Sequence, residues 1–326
     1  MKEVDLLVIG AGPAGLCAAQ YGANAGMRVL VVENAMIGGE MINIDKLENY
    51  PGFLTGISAT AGNGKELTEM MRLQAVAAGA EFIMGSAESV SGNSRDGFTL
   101  ALDDYNGIAA KSESIHAGAL ILASGAHRKI LDVPGEMELY GSGVSYCAVC
   151  DGPFFKGKKI FVIGGGDSAC AEARFLSKLS PDIHLVHRRD AFRAQKSVAD
   201  RVFSDPAIKV RFNTNVVGIK GNEKVEAITL QDITTGKTSE ERADAVFIFT
   251  GIVPRNKLVS SSTLEKKPAL DENGFVITDH KMASSVPGIY AAGDVRAAPF
   301  RQIITAASDG AIAAHSAAEY LRNSNG

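Results

Sequence analysis

The 326-residue chain has no tryptophan, only four cysteines, and no apolar run approaching the roughly 18 residues that would span a bilayer. Four cysteines do not make a disulfide-stapled secreted scaffold. The opening stretch, "VDLLVIGAGPAG", has too short an apolar part for a signal peptide and lacks a cleavage pattern, so the reading is a cytoplasmic protein. Formal net charge is −4 with no long block of one sign, which argues against nucleic acid as the main partner; no membrane partner is expected. The six histidines (His116, His127, His184, His187, His280 and His315) show no metal-ligand spacing, and no metal site is expected.

What the chain does have is glycine, 35 residues of it, gathered in short motifs. With 46% hydrophobic residues it can bury an ample core, and its length suggests about two domains.

The chain repeats one plan twice. Val4 to Ile9 reads as a strand, Gly10-Ala11-Gly12-Pro13-Ala14-Gly15 is G-x-G-x-x-G, and an Ala-rich helix follows to about Ala25. A strand from Arg28 to Val32 then ends on Glu33. Lys159 to Ile163, Gly164-Gly165-Gly166-Asp167-Ser168-Ala169 and Ile183 to Val186 repeat the plan, and Gly15 to Glu33 has the same spacing as Ala169 to His187. The first glycine permits a tight turn, the second lets backbone approach a pyrophosphate, and the third lets helix and strand pack closely. The helix N-terminus offers free N–H groups to the phosphates.

The second-strand ends differ in chemistry. Glu33 can accept from a ribose 2′-OH, which suits FAD or NAD. The other copy carries His187-Arg188-Arg189, with Arg193 a helical turn later and Asp190 as a possible cap. An arginine cluster binds a 2′-phosphate that a carboxylate would repel, so this site reads as NADPH-selective. Each copy closes on an apolar strand, "GALILASG" (Gly118 to Gly125) and "DAVFIFTG" (Asp244 to Gly251). Linkers are expected near 125–133 and 251–256. The last segment, with a strand from Gly288 to Ala292, Asp294 and a helix from about Gln302 to Leu321, has no glycine fingerprint and is read as completing the first domain. The fold class is therefore α/β: two Rossmann-like, three-layer ββα domains, one comprising 1–127 and 252–326, the other, 128–251, inserted within it.

"GAGPAG", "GGE" followed by "ENYPG", "CAVCDG", "GGGDSA", "HRRDAFR" and "GIYAAGDV" with "RQ" occur in this order along essentially the whole chain. Together they resemble the low-molecular-weight, bacterial-type NADPH thioredoxin reductases. That resemblance implies FAD on the first fingerprint with Glu33 at the ribose. Gly38, Gly39, Asn49 and Asp294 would line the rest of the dinucleotide, with Glu40, Ser124, Gly125, Arg301 and Gln302 nearby. NADPH would take the second fingerprint and the three arginines. It further implies a homodimer whose NADPH domain rotates about the linkers. Glu40 stands where Gln is common, Ser124 where Thr is usual, and "TGISATAGNGKEL" is unusually rich in Gly and Ala.

The remaining motif is "VSYCAVCDGPFF", Val144 to Phe155, with Cys147 and Cys150 three apart. Zinc needs four ligands, and Cys17 and Cys170 read as small core residues behind the two glycine turns. The pair is read as a dithiol/disulfide. Asp151 would disfavour a neighbouring thiolate by charge, which fits proton management, as general acid or as base. The resemblance assigns Cys150 to the flavin C4a position and Cys147 to attack on the disulfide of thioredoxin or a thioredoxin-like protein. Alternatives are an FAD-dependent dithiol oxidase, which has little use for the arginines, and a flavin/NADPH sensor whose cysteines do not turn over.

Overall fold

The computed structural model describes residues 2–44, 47, 49–53, 62–103 and 114–324. Part of "ENYPG" (Glu48) and most of "TGISATAGNGKEL" (55–61) lie outside the described residues. The chain divides into two compact units, 1–127 with 253–326, and 128–252.

In chain order the first unit begins with β1 (Lys2–Ile9), α1 (Pro13–Asn24), β2 (Val29–Glu33), α2 (Gly64–Ala77), β3 (Glu81–Met84), β4 (Ser86–Asn93), β5 (Gly97–Asp103) and β6 (Ser114–Leu122). β7 (Ala126–Arg128) leads into the second unit: β8 (Val144–Ser145), α3 (Ala148–Asp151), β9 (Ile160–Ile163), α4 (Asp167–Ser177), β10 (Ile183–Val186), α5 (Lys196–Phe203), β11 (Ile208–Arg211), β12 (Thr214–Lys220), β13 (Ala227–Asp232), β14 (Thr238–Arg242) and β15 (Ala245–Ile248). β16 (Ile252–Pro254) leads back to α6 (Lys257–Ser261), β17 (Thr263–Leu264), β18 (Ile289–Ala291) and α7 (Ile303–Ser324). β7 and β16, the two crossing segments, pair with each other.

The middle of each sheet is built from unbroken apolar runs, 6–9 of β1, 119–122 of β6, and all of β9 and β15, because both faces are covered there, as parallel strands require. In the first unit β3, β2, β1, β6 and β18 run parallel, and β4 and β5 extend the sheet antiparallel from β6. Leu6, Val8, Val29, Val31, Ala119 and Ile121 face a core shared with α1, α2 and α7. Leu7, Ile9, Leu30, Val32, Leu120 and Leu122 face the opposite way, toward Val90, Phe98 and Leu100. α1 and α7 meet through Ala and Gly: a Cβ on Gly310 would lie 2.1 Å from the Ala14 carbonyl oxygen, so small residues set how closely these helices approach.

The second unit repeats this economy. Its five-stranded sheet runs β11-β10-β9-β15-β8, parallel throughout, beside a three-stranded antiparallel sheet, β12-β13-β14. Phe161, Ile163, Val186, Val246 and Ile248 point to the antiparallel sheet. Ile160, Val162, Leu185 and Phe247 point to the helix side, where Cys170, Ala173 and Leu176 of α4 cover them. Burying each large aliphatic side chain here contributes about 1.5–3 kcal/mol before chain entropy is counted. The fold is thus the three-layer ββα arrangement of Rossmann type.

Two local expectations change. Arg188 to Gln195 forms no helix; α5 begins at Lys196 with Gln195 as its cap, so Asp190 caps nothing and Arg193 lies on an irregular segment. Cys170 is fully buried, but Cys17 is only partly buried against the first core. Among the described residues no helix is long and apolar enough to cross a membrane.

Candidate active site and nucleotide sites

Both glycine turns follow from what their backbones must do. Gly10 has φ +101° and a Cβ there would lie 2.4 Å from the Ala123 carbonyl oxygen; Gly164 has φ +153° and would meet the Phe249 oxygen at 2.5 Å. Only glycine takes such angles without strain and leaves this room. A Cβ on Gly15 would come 1.8 Å from the Gly10 oxygen, which lets α1 start directly against β1. Gly12 and Gly166, by contrast, have nothing within 4 Å of an added Cβ. Each opens a helix with no side-chain cap, and Pro13 fills the first turn of α1 without needing an N–H partner.

Around the first turn, Gly38 donates its N–H to the Ala11 carbonyl at 2.8 Å, and a Cβ on Gly39 would sit 3.4 Å from the Gly12 Cα. Glu33 is buried at the end of β2, its carboxylate accepting the N–H groups of Ala11 (2.7 Å), Asn34 and Ala35 (both 2.9 Å). Asn49 donates to Gln302 at 3.0 Å. Asp294 lies in a short turn after β18, whose Gly293 N–H donates to Asp309 at 3.2 Å. Asp309 also pairs with Arg296 at 3.1 Å; burial raises its carboxyl above the usual range and Arg296 opposes this. Arg301 lies 4.4 Å over the Phe275 ring, and its buried Nε has no hydrogen-bond partner among the described residues. Burial lowers its guanidinium, an effect that Asp294 opposes.

Glu40 and Ser124, the two departures from the common pattern, converge on one residue. Glu40 pairs with the Arg255 guanidinium at 2.8 Å, and Ser124 Oγ donates to the Arg255 carbonyl at 2.7 Å. Arg255 in turn donates its N–H to Gly125, which has φ +69°. Arg255 carried no sequence signal; Asp309 did, as an acid inside the apolar helix "IITAASDGAIAA".

In the second unit, His187 directly follows β10, with its ring against Gly165, whose added Cβ would be 2.3 Å away. Burial, then Arg193, Arg189 and Arg188, hold His187 below the usual imidazole range, and its Nε2 has no hydrogen-bond partner among the described residues. Arg188, Arg189 and Arg193 are exposed. Asp167 accepts the Gln195 N–H at 2.8 Å; Ser168 is exposed and Ala169 buried.

Both turns fit a dinucleotide. A smooth, side-chain-free surface at Gly12 and Gly166 abuts an uncapped helix start in each case. In the first unit the unpaired Arg301 Nε sits near an acid turn; in the second, three exposed arginines follow the end of β10.

Cys147 and Cys150 form a disulfide, with Cα atoms 5.3 Å apart. Cys147 caps the short α3, its sulfur accepting the Cys150 N–H at 3.2 Å. Ser145, which the sequence reading missed, connects the motif. It is buried, donates its hydroxyl to Asp151 at 2.5 Å, and accepts the Cys147 N–H at 3.1 Å. The entering chain is fixed by buried Glu136, which accepts the N–H groups of Leu131 and Asp132 and the Tyr146 hydroxyl at 2.7 Å.

Residues 4–318 match the family described as pyridine nucleotide-disulphide oxidoreductase. The chain is 45% identical to a thioredoxin reductase of Treponema pallidum (strain Nichols), over 98% of this chain and 97% of that one. It is 41% identical to a thioredoxin reductase of Bacillus subtilis (strain 168), over 98% and 95%. The crystal structure of thioredoxin reductase from Streptococcus pyogenes MGAS5005 matches with a TM-score of 0.87 at 38% identity, covering 98% of this chain and 99% of that one. With two dinucleotide turns, a bonded Cys147–Cys150 pair and full-length similarity, this chain belongs to the pyridine nucleotide-disulphide oxidoreductase family, among its FAD- and NADPH-dependent thioredoxin reductases.

Proposed function

We propose that Cys147 and Cys150 are the redox pair through which this chain passes electrons from NADPH to the disulfide of thioredoxin or a thioredoxin-like protein. One observation carries the assignment: the two sulfurs are bonded at the start of a short helix, beside a buried hydroxyl that reaches a carboxylate. We assign 1–127 with 252–326 to FAD and 128–251 to NADPH.

Gly10, Gly12, Pro13, Ala14 and Gly15 would take the FAD pyrophosphate, with Glu33 at the ribose. Gly38, Gly39, Asn49, Gly125, Asp294, Arg301 and Gln302 would complete that surface. Gly164, Gly165, Gly166 and Ala169 would take NADPH, with Arg188, Arg189 and Arg193 on its 2′-phosphate. Glu40 and Ser124 would act through Arg255. Bound FAD supplies the two-electron carrier between pyridine nucleotide and disulfide, chemistry that no side chain provides.

The chain's own groups do the rest. Two electrons and two protons convert the Cys147–Cys150 disulfide to a dithiol. The Cys147 thiolate then attacks one sulfur of the partner's disulfide, and the other partner sulfur departs and takes a proton. Cys150 attacks the Cys147 sulfur, re-forming the internal disulfide and releasing the partner's second sulfur. The Cys150 N–H that Cys147 accepts favours its thiolate. Asp151, held by Ser145, carries protons to and from these sulfurs.

The working unit is proposed to be a homodimer in the cytoplasm. Exposed Tyr21 on α1 and Met70, Leu73 and Val76, three apart on α2, supply apolar surface for it. The decisive assay is NADPH oxidation with a thioredoxin, with NADH alongside. Thioredoxin-dependent turnover favouring NADPH is expected; flavin reduction without disulfide turnover would overturn the proposal.

A further inference from the structure

The arginine segment, 188–195, has no regular secondary structure of its own, so its shape depends on a few tethers. Asn213 donates its N–H to the Arg189 carbonyl at 3.0 Å, and Arg193 donates to the Gly165 carbonyl at 2.7 Å. Phe192 packs among His187, Phe203 and Phe212, with ring centroids 6.0, 5.5 and 4.8 Å away. Asp167 supplies the tether whose acceptor is a side chain: its Oδ1 takes the Gln195 N–H at 2.8 Å. It does so from the first turn of α4, where a carboxylate is favoured by the helix dipole.

We infer that Asp167 is a positioning residue for NADPH selectivity. Its carboxylate holds the end of the arginine segment against the glycine turn, and so fixes where the guanidinium groups meet a 2′-phosphate. A bidentate phosphate contact tolerates little displacement, whereas the 5′-phosphate rests on the glycine turn itself. Loss of the tether therefore weakens 2′-phosphate recognition and spares the rest of the nucleotide. The inference rests on the NADPH assignment of the second unit.

Calorimetric titration of the FAD-loaded protein with adenosine 2′,5′-bisphosphate and with 5′-AMP isolates the 2′-phosphate. Asp167→Ala should weaken the bisphosphate about tenfold, the equivalent of ~1.4 kcal/mol, and leave 5′-AMP unchanged. Asp167→Asn, which keeps the acceptor oxygen, should retain the wild-type preference. Equal weakening of both probes by Asp167→Ala, or no weakening, overturns the inference; so does loss of the preference in Asp167→Asn. Arg193→Ala tests the underlying assignment. If the wild type shows no preference for the bisphosphate, or Arg193→Ala leaves it intact, the NADPH assignment falls and takes the inference with it.

Discussion

Ser145 donates its hydroxyl to Asp151 at 2.5 Å while accepting the Cys147 N–H, so the carboxylate and the first redox cysteine are held by one buried oxygen. Asp151→Asn should slow thiol–disulfide exchange by ~10²-fold or more, the lower range for loss of a general acid–base group. Ser145→Ala keeps the acid and should cost less. Rapid-quench exchange in H2O and D2O checks this; a wild-type rate and isotope effect in Asp151→Asn would remove Asp151 from proton handling.

Burial pushes the Cys17 and Cys170 thiols up to about 11. At pH 7 roughly one in 10⁴ of each is thiolate, so neither should react quickly with iodoacetamide. The oxidised protein should take up almost no label, and NADPH reduction should expose Cys147 and Cys150. Peptide mass spectrometry identifies the sites; rapid labelling at Cys17 before reduction would contradict this.

Glu40 and Arg255 are both about half exposed, so their ion pair should contribute less than about 1 kcal/mol. Its effect should fall on motion, because the Arg255 guanidinium ties the chain just after the crossing strand β16 to Glu40, while the bonds to Ser124 and Gly125 are made by the Arg255 backbone and survive substitution. Arg255→Ala should change turnover with little change in FAD retention or melting temperature. Loss of FAD in this variant would mean that Arg255 shapes the flavin surface directly.

Glu241 accepts from Arg211 and from Lys159, and these bonds lower its carboxyl to about 2 from a reference of 4.5. The folded value lies below the unfolded one. Its stabilisation is therefore complete above about pH 4.5 and is lost as pH falls toward 2. His184, beside the same Arg211 and Lys159 and bonded to Asp182, is lowered mainly by burial and loses stability in the same acid direction below about 6.5. Glu241→Gln should melt lower than wild type at pH 6, with the gap narrowing below about pH 4.5 and closing as pH approaches 2. A constant gap would contradict the shift.

The parallel strands around each glycine turn, both turns and the cysteine pair were legible because each is written locally, as apolar runs, glycines at fixed spacing and two cysteines three apart. The antiparallel strands β4, β5 and β12 to β14 carry no such run and were not read. Nor was Ser145, since a serine two residues before a cysteine has no distinguishing pattern. Arg255 meets Glu40 across 215 positions, a contact that only the folded chain creates. Placing Arg193 a helical turn after the arginine pair, with Asp190 as a possible cap, did not hold, because the tethers of this segment come from Gly165, Asp167 and Asn213, outside it.

In the proposed reaction Cys147 carries electrons onto the partner's disulfide and Cys150 resolves the product. Acid-quenched mixtures of oxidised thioredoxin with the Cys150→Ser protein should contain a mixed disulfide through Cys147, resolved by mass spectrometry, and Cys147→Ser should give none. Trapping through Cys150 instead, or thioredoxin reduction by the Cys147→Ser/Cys150→Ser protein at the wild-type rate, would contradict the account.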